Sequence, residues 1–293
     1  MANEENLRTD QGSRAILHIG AHRTGTTLFQ EFLFRRQNAA QQKGIRFIEI
    51  NACRKQGFLD KVIYNRPCDN AIAQSHTWAL RSNIQESLDA GMRVVLSEEN
   101  ILGTMEQCVR HRTLYPDVGG MLSRIGEAAE LFDTVYISIR PQQDWWRSVF
   151  GFFAKSKSRN QWLSNAANYQ PILYGRSWFD VVSDVRAALN PRITIVRDFD
   201  AFISNPKRQL IEVSKWNDLK YLPGIEVKVS NASAPLAGAK LESAWEHSPS
   251  EYTREKLNEE AEWARTQYEE DLTRIRKMLG SSGRIIRPRK AKK

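Results

Sequence analysis

The stretch HIGAHRTGTT, His18 to Thr27, keeps the outline of a phosphate-binding loop but not its usual cation. A triphosphate loop reads G-x-x-x-x-G-K-[ST], and Gly20 and Gly25 keep its four-residue gap. Thr26 stands where the lysine belongs, and the positive charge comes three positions earlier, as Arg23. The run before the loop, RAILHIG from Arg14, is compact and apolar like a buried strand. The run after it, TTLFQEFLFRRQ, repeats Leu28 with Phe32 and Phe29 with Leu33 at helical spacing. Strand, glycine turn and helix in that order aim backbone N–H groups and the positive end of the helix at an anion. The plainer alternative is a tight strand-to-helix turn with no ligand.

Outward from the loop, short apolar runs alternate with longer helical patterns. RVVLSEE from Arg93, TVYISIR from Thr134 and RITIVRDF from Arg192 read as further strands. DWWRSVFGFFAKS, SWFDVVSDVRAAL and the charged stretch from Glu251 to Leu279 read as helices. This alternation predicts an α/β fold, one parallel sheet flanked by helices. No internal repeat and no convincing linker divides the 293 residues. The segment VKVSNASAPLAGAK is small, polar and proline-containing, hence a loop.

Composition sets further bounds. The longest apolar runs fall well short of the ~18 residues a membrane helix needs, and the polar start, residues 1–13, has no signal-peptide core and is expected to be disordered. Three cysteines, Cys53, Cys68 and Cys108, lie far apart with no C-x-x-C pair. Neither a disulfide framework nor a zinc site is indicated, and reducing cytoplasm is the expected compartment. The net charge of +9 includes six basic residues in SSGRIIRPRKAKK, 281–293, which leaves +3 for the rest. The reading is therefore a solvated, disordered basic tail, able to touch an acidic membrane surface peripherally, with no nucleic-acid partner expected.

The P-loop lysine and its magnesium serve the β- and γ-phosphates of a triphosphate. A ligand with less charge beyond its first phosphate needs neither. A sulfuryl group carries less charge than a terminal phosphoryl, so a phosphosulfate suits two threonines and one displaced arginine.

HIGAHRTGTTLFQEFL resembles the 5′-phosphosulfate loop of the sulfotransferases that use 3′-phosphoadenosine 5′-phosphosulfate (PAPS). Their usual core is P-K-S-G-T-T, and a bacterial branch reads H-I-G-x-H-K-T-G-T-T-x-L-Q. The resemblance implies cofactor contacts from Arg23, Thr24, Gly25, Thr26 and Thr27, with Arg23 in place of the family lysine. Arginine keeps the charge but is bulkier and planar. Family members hold the 3′-phosphate with an Arg closing a strand and a Ser eight positions on. VYISIRPQQDWWRSVF is similar, with Arg140 at the strand end and Ser148 near the first turn of the next helix. The resemblance covers most of residues 14–280 as one sulfotransferase domain with a P-loop-like fold, and is sharp only at these two elements. It implies PAPS as co-substrate, 3′-phosphoadenosine 5′-phosphate (PAP) as product and no metal. The acceptor is then a small molecule or glycan, with a carbohydrate or glycolipid hydroxyl favoured over an amine. Trp162, Tyr169 and Tyr174 are possible stacking residues for it. Asn231 and Ser233, in a loop like one often found near the nucleotide, read as ordinary loop residues.

Sulfuryl transfer needs a base near the acceptor. VVLSEENIL offers Glu98 and Glu99 at a strand end, and the family pattern L-S-x-E matches Glu99. Strand alternation lets only one of the pair face the pocket. His22, inside the loop, is the rival catalytic residue. Histidine is favoured by its ordinary pKa, whereas a glutamate base needs its pKa raised by burial. Glu99 is preferred. Competing readings are a P-loop kinase or hydrolase using Asp198 or Asp200 for magnesium, and a nucleotide-binding protein without catalysis.

Overall fold

The computed structural model describes residues 14–48, Arg54, Leu59, 70–153, 175–199, 205–224 and 254–287. Among them, six strands form a single parallel sheet: β1 (Ala15–His18), β2 (Ile45–Ile48), β3 (Arg93–Ser97), β4 (Thr134–Ile139), β5 (Ile193–Asp198) and β6 (Gly283–Ile286), in the order β2-β3-β1-β4-β5-β6. Helices cover both faces, which is what lets strands be apolar on both sides. Ala15, Leu17, Val94, Leu96, Val135 and Ile137 face one core. Ile16, Val95, Tyr136 and Ile195, one residue out of phase, face the other.

Helix α1 (Thr26–Arg35) closes the second core with Phe29, Phe32 and Leu33. Burying each of these side chains contributes about 1.5–3 kcal/mol. The other helices in chain order are α2 (Gln37–Gln41), α3 (Asn70–Asp89), α4 (Met105–His111), α5 (Val118–Ser123), α6 (Gln142–Phe153), α7 (Trp178–Leu189), α8 (Pro206–Ser214) and α9 (Arg254–Leu279). On the first core's face, α7 buries Trp178, Val181, Val182 and Val185 under a capping box of Ser177 and Asp180.

Two expectations change. The sequence pattern supplies four strands, and β2 and β6 join them as the two edges. The reading of 281–293 as a disordered tail is corrected at its start: Gly283–Ile286 pairs with β5, because two isoleucines can lie on its edge where the charged pattern ended. Residues 288–293 lie outside the described residues, as do 1–13, Asp200, Trp162, Tyr169, Tyr174, Asn231 and Ser233. Among the described residues no helix is long and apolar enough to cross a membrane. Cys108 is buried, and burial pushes its thiol up to about 12, so it packs rather than reacts.

The strand order reverses direction around β1. The chain passes from β1 outward to β2, returns through β3, and crosses β1 to reach β4. In open parallel sheets, ligands bind beyond the C-terminal strand ends at such a reversal. The loops that leave β1, β3 and β4 there carry His22 and Arg23, Glu98 and Glu99, and Arg140.

Candidate active site

The loop after β1 is held from several directions before any ligand is considered. Ile19 and Ala21 continue the ladder to β4, donating to Tyr136 and Ser138 carbonyls at 3.0 Å each. Trp145 Nε1 donates to the His22 carbonyl at 2.7 Å, and the Tyr115 hydroxyl accepts the His22 N–H at 2.8 Å. Beneath, buried Arg197 donates to the Thr24 carbonyl at 3.1 Å and to Gln209 Oε1 at 2.7 Å. His18, also buried, bonds Ser97 Oγ at 2.7 Å and stacks on Tyr136, with centroids 4.6 Å apart. Burial first, and the charge of Arg197 second, bring its pKa down to about 3, so the ring is neutral.

Both loop glycines are needed where they stand. Gly25 caps α1 at φ 77°, a left-handed conformation, and brings no capping side chain to cover the first N–H groups of the helix. A Cβ on Gly20 would stand 2.8 Å from His18 Nε2 and 2.9 Å from Thr26 Oγ1. Gly20→Ala is therefore expected to cost about 1–3 kcal/mol by overpacking. A lower thermal midpoint checks this, and an unchanged midpoint would mean that His18 moves aside freely.

Arg23 also adopts a positive φ, 64°, which L-residues other than Asn, Asp and His seldom do. Its Nε donates to Ser148 Oγ at 2.9 Å, and its guanidinium lies 5.5 Å from the Phe152 ring. Arg140 Nη1 donates to the Arg23 carbonyl at 3.3 Å, and its own guanidinium stacks 4.6 Å over Phe199. Burial, then the charge of Arg140, holds Arg23 below its usual pKa. Two like charges are thus concentrated beside an uncapped helix start. Ser148 stands in the second turn of α6, not near the first, because the helix begins at Gln142.

The threonines separate into two groups. Thr24 is buried and its hydroxyl donates to the Ala21 carbonyl, while Thr26 Oγ1 lies 3.5 Å from the same oxygen. Both serve the loop's own shape. Thr27 is exposed in the first turn of α1, on the ligand side of the sheet.

The two glutamates do not split between faces. The strand ends at Ser97, so Glu98 is the extended cap and Glu99 the first residue of a short 3-10 helix, and both reach Arg54. Arg54 forms a two-pronged pair with fully buried Glu98, both contacts at 2.8 Å, and bonds Glu99 Oε1 at 2.8 Å. Gln30 Nε2 donates to Glu99 Oε2 at 2.6 Å. Burial alone would raise the Glu99 pKa. The positive form of His22, then Arg54 and the Gln30 bond, outweigh it and hold the carboxyl below its usual value. The expectation of a raised pKa is therefore corrected.

His22 is fully engaged. Glu98 Oε1 accepts from Asn100 Nδ2 at 2.7 Å, which turns Asn100 Oδ1 toward His22 Nε2 at 3.1 Å. Nε2 must then carry a proton. Nδ1 lies 3.0 Å from the Tyr115 hydroxyl, which donates to a neutral ring and accepts from a protonated one. The basic nitrogen of neutral His22 accordingly faces a buried phenol, whereas among the described side chains Glu99 Oε1 meets Arg54 and Oε2 meets Gln30.

Arg54, Tyr115 and Arg197 carry no signal as site residues in the sequence, whereas Glu98 caps the short helix at the Asn100 N–H, the plainer role open to the glutamates. Arg197 lies inside a strand run, and Arg54 and Tyr115 lie in stretches with no motif. Asp198, the candidate magnesium ligand, has Arg287 3.7 Å away. No protein-family model matches the chain, nor does any curated protein or any solved structure.

Proposed function

We propose that the chain is a PAPS-dependent sulfotransferase with a P-loop-like sulfotransferase fold. It moves a sulfuryl group to an acceptor hydroxyl, carbohydrate or glycolipid favoured, or to an amine. The observation that carries this reading is the meeting of Arg23, Ser148 and Arg140, 117 and 125 residues apart, in two direct contacts. An anion-binding loop and a second Arg–Ser pair side by side suit a ligand with phosphates at both ends of a ribose. The uncapped start of α1 and Thr27 would hold the 5′-phosphosulfate, and Arg140 with Ser148 the 3′-phosphate. Arg23, reaching between them, would meet the charge that develops on the bridging oxygen. Arginine suits this double duty, since its Nε can bind Ser148 while its other donors point elsewhere.

Glu99 would take the acceptor proton as the acceptor oxygen or nitrogen forms its bond to sulfur. The S–O bond to the phosphate then breaks, and PAP leaves with the electron pair.

Competition binding tests the class of ligand. PAP is expected to displace a labelled nucleotide with or without EDTA, and ATP with magnesium to compete at least tenfold more weakly, as an estimate of about 1.4 kcal/mol. Loss of PAP binding on chelation, restored by magnesium, would favour a kinase-like protein instead.

A further inference from the structure

The second core ends in a polar floor beneath the loop. On its face the four inner strands carry Val95, Ile16, Tyr136 and Ile195. Two positions further along, each strand has a polar residue instead: Ser97, His18, Ser138 and Arg197. Two residues make one period of a strand, so these side chains face the same way as the apolar row before them. None of the four is more than 2 % exposed.

This floor holds one charge. Burial and the charge of Arg197 keep His18 neutral, and burial pushes the Tyr136 phenol up, so it stays un-ionised. Gln209, buried on α8, adds only an amide. Arg197 is thus a guanidinium closed to solvent, with no carboxylate partner among the described residues. Its acceptors are Gln209 Oε1 at 2.7 Å and the Thr24 carbonyl at 3.1 Å, and its Nε–H has none. Asp198, next in the chain, stands 3.7 Å from Arg287. A buried charge without one of opposite sign is among the costliest features a fold can hold.

The Thr24 contact shows where that charge acts. The Thr24 carbonyl and the Gly25 N–H belong to one peptide, and in a planar trans peptide the two point in opposite directions. With the carbonyl held by Arg197, the Gly25 N–H is turned away from the floor. Gly25 caps α1, so this N–H belongs to the helix start that gathers anions. A hydrogen bond from a cation polarises the peptide and strengthens its N–H as a donor. Closed to solvent, Arg197 touches no ligand and acts through this peptide.

We infer that Arg197 is a positioning residue of the loop that also sets its specificity: a fixed positive charge whose counter-ion is the bound phosphate or phosphosulfate. The inference requires an anion in the loop and does not rest on the sulfotransferase reading.

The test supplies the missing counter-charge from within. Gln209→Glu keeps the shape of the side chain and places a carboxylate on Arg197. Full-length protein is titrated by calorimetry with inorganic pyrophosphate in metal-free buffer. Gln209→Glu should bind it about tenfold more weakly, the order expected when a full charge one peptide away is neutralised. Its thermal midpoint without pyrophosphate should rise, because the buried guanidinium gains a partner. Arg197→Gln, which keeps an N–H for the Thr24 carbonyl but no charge, should also lose about tenfold. Arg197→Lys, which keeps the charge, should stay within about threefold of the unaltered protein. Unchanged pyrophosphate affinity in Gln209→Glu, or equal losses in Arg197→Lys and Arg197→Gln, overturns the inference, and Arg197 then only braces the Thr24 carbonyl. Pyrophosphate affinity that follows these charges in protein with no preference for PAP over AMP would uphold Arg197 and overturn the sulfotransferase reading.

Discussion

Glu99→Gln is expected to lower turnover by about 10²-fold, the lower end of the range for a lost general base, while PAP affinity stays nearly intact. The lower end follows from the site. Arg54 and the positive form of His22 hold the Glu99 carboxyl below its usual pKa, and a weaker base removes a proton less effectively. The same depression fixes the pH dependence. A lowered folded-state pKa means that the carboxylate is formed above the ordinary carboxylate range and is lost only as pH falls through the depressed value. Turnover should therefore show no acid limb from Glu99 between about pH 5 and 7. A dead His22→Asn enzyme that still binds PAP, together with a normal Glu99→Gln enzyme, would transfer the role to His22. Glu98→Gln reads differently from a plain control, because Glu98 is fully buried on Arg54 and orients Asn100.

Arg140→Ala is the second large effect. PAP should bind far better than AMP or adenosine 5′-phosphosulfate, and the substitution should erase most of that preference. A charge-assisted phosphate contact is worth roughly 1.5–3 kcal/mol, or about 10- to 150-fold in affinity. AMP affinity should change little, since Arg140 is assigned to the 3′-phosphate and not to the loop. Calorimetry settles it: equal affinity for PAP and AMP in the unaltered protein would remove the basis of the functional proposal. Comparable losses for both nucleotides in Arg140→Ala would mean that the arginine acts through its contact with the Arg23 carbonyl.

The parts legible in the sequence share a physical cause. β1, β3, β4 and β5 are buried on both faces, so each carries two or more consecutive apolar residues. β2 and β6 are edges of four residues, each with an arginine inside, and no periodicity test separates IRFI or GRII from a loop. The loop was legible because glycine spacing reports backbone conformation directly, as Gly25 at positive φ illustrates. The glutamates were legible as a pair but not in their geometry. Alternation holds only while the strand lasts, and the strand stops one residue before Glu98. Arg54 could not be read at all, since an ion pair between residues 44 and 45 positions apart leaves no local pattern.

The strand order has a mechanical consequence for the candidate site. β3, β1 and β4, whose loops carry the glutamates, Arg23 and Arg140, are the inner strands, each bonded to a neighbour on both sides. When the edges β2 and β6 fray, β1 and β4 keep both neighbours and β3 keeps β1. Local opening therefore starts away from the loops, and the relative positions of Arg23, Glu99 and Arg140 persist until the sheet as a whole gives way. The constellation behaves as one rigid template, lost all at once or not at all.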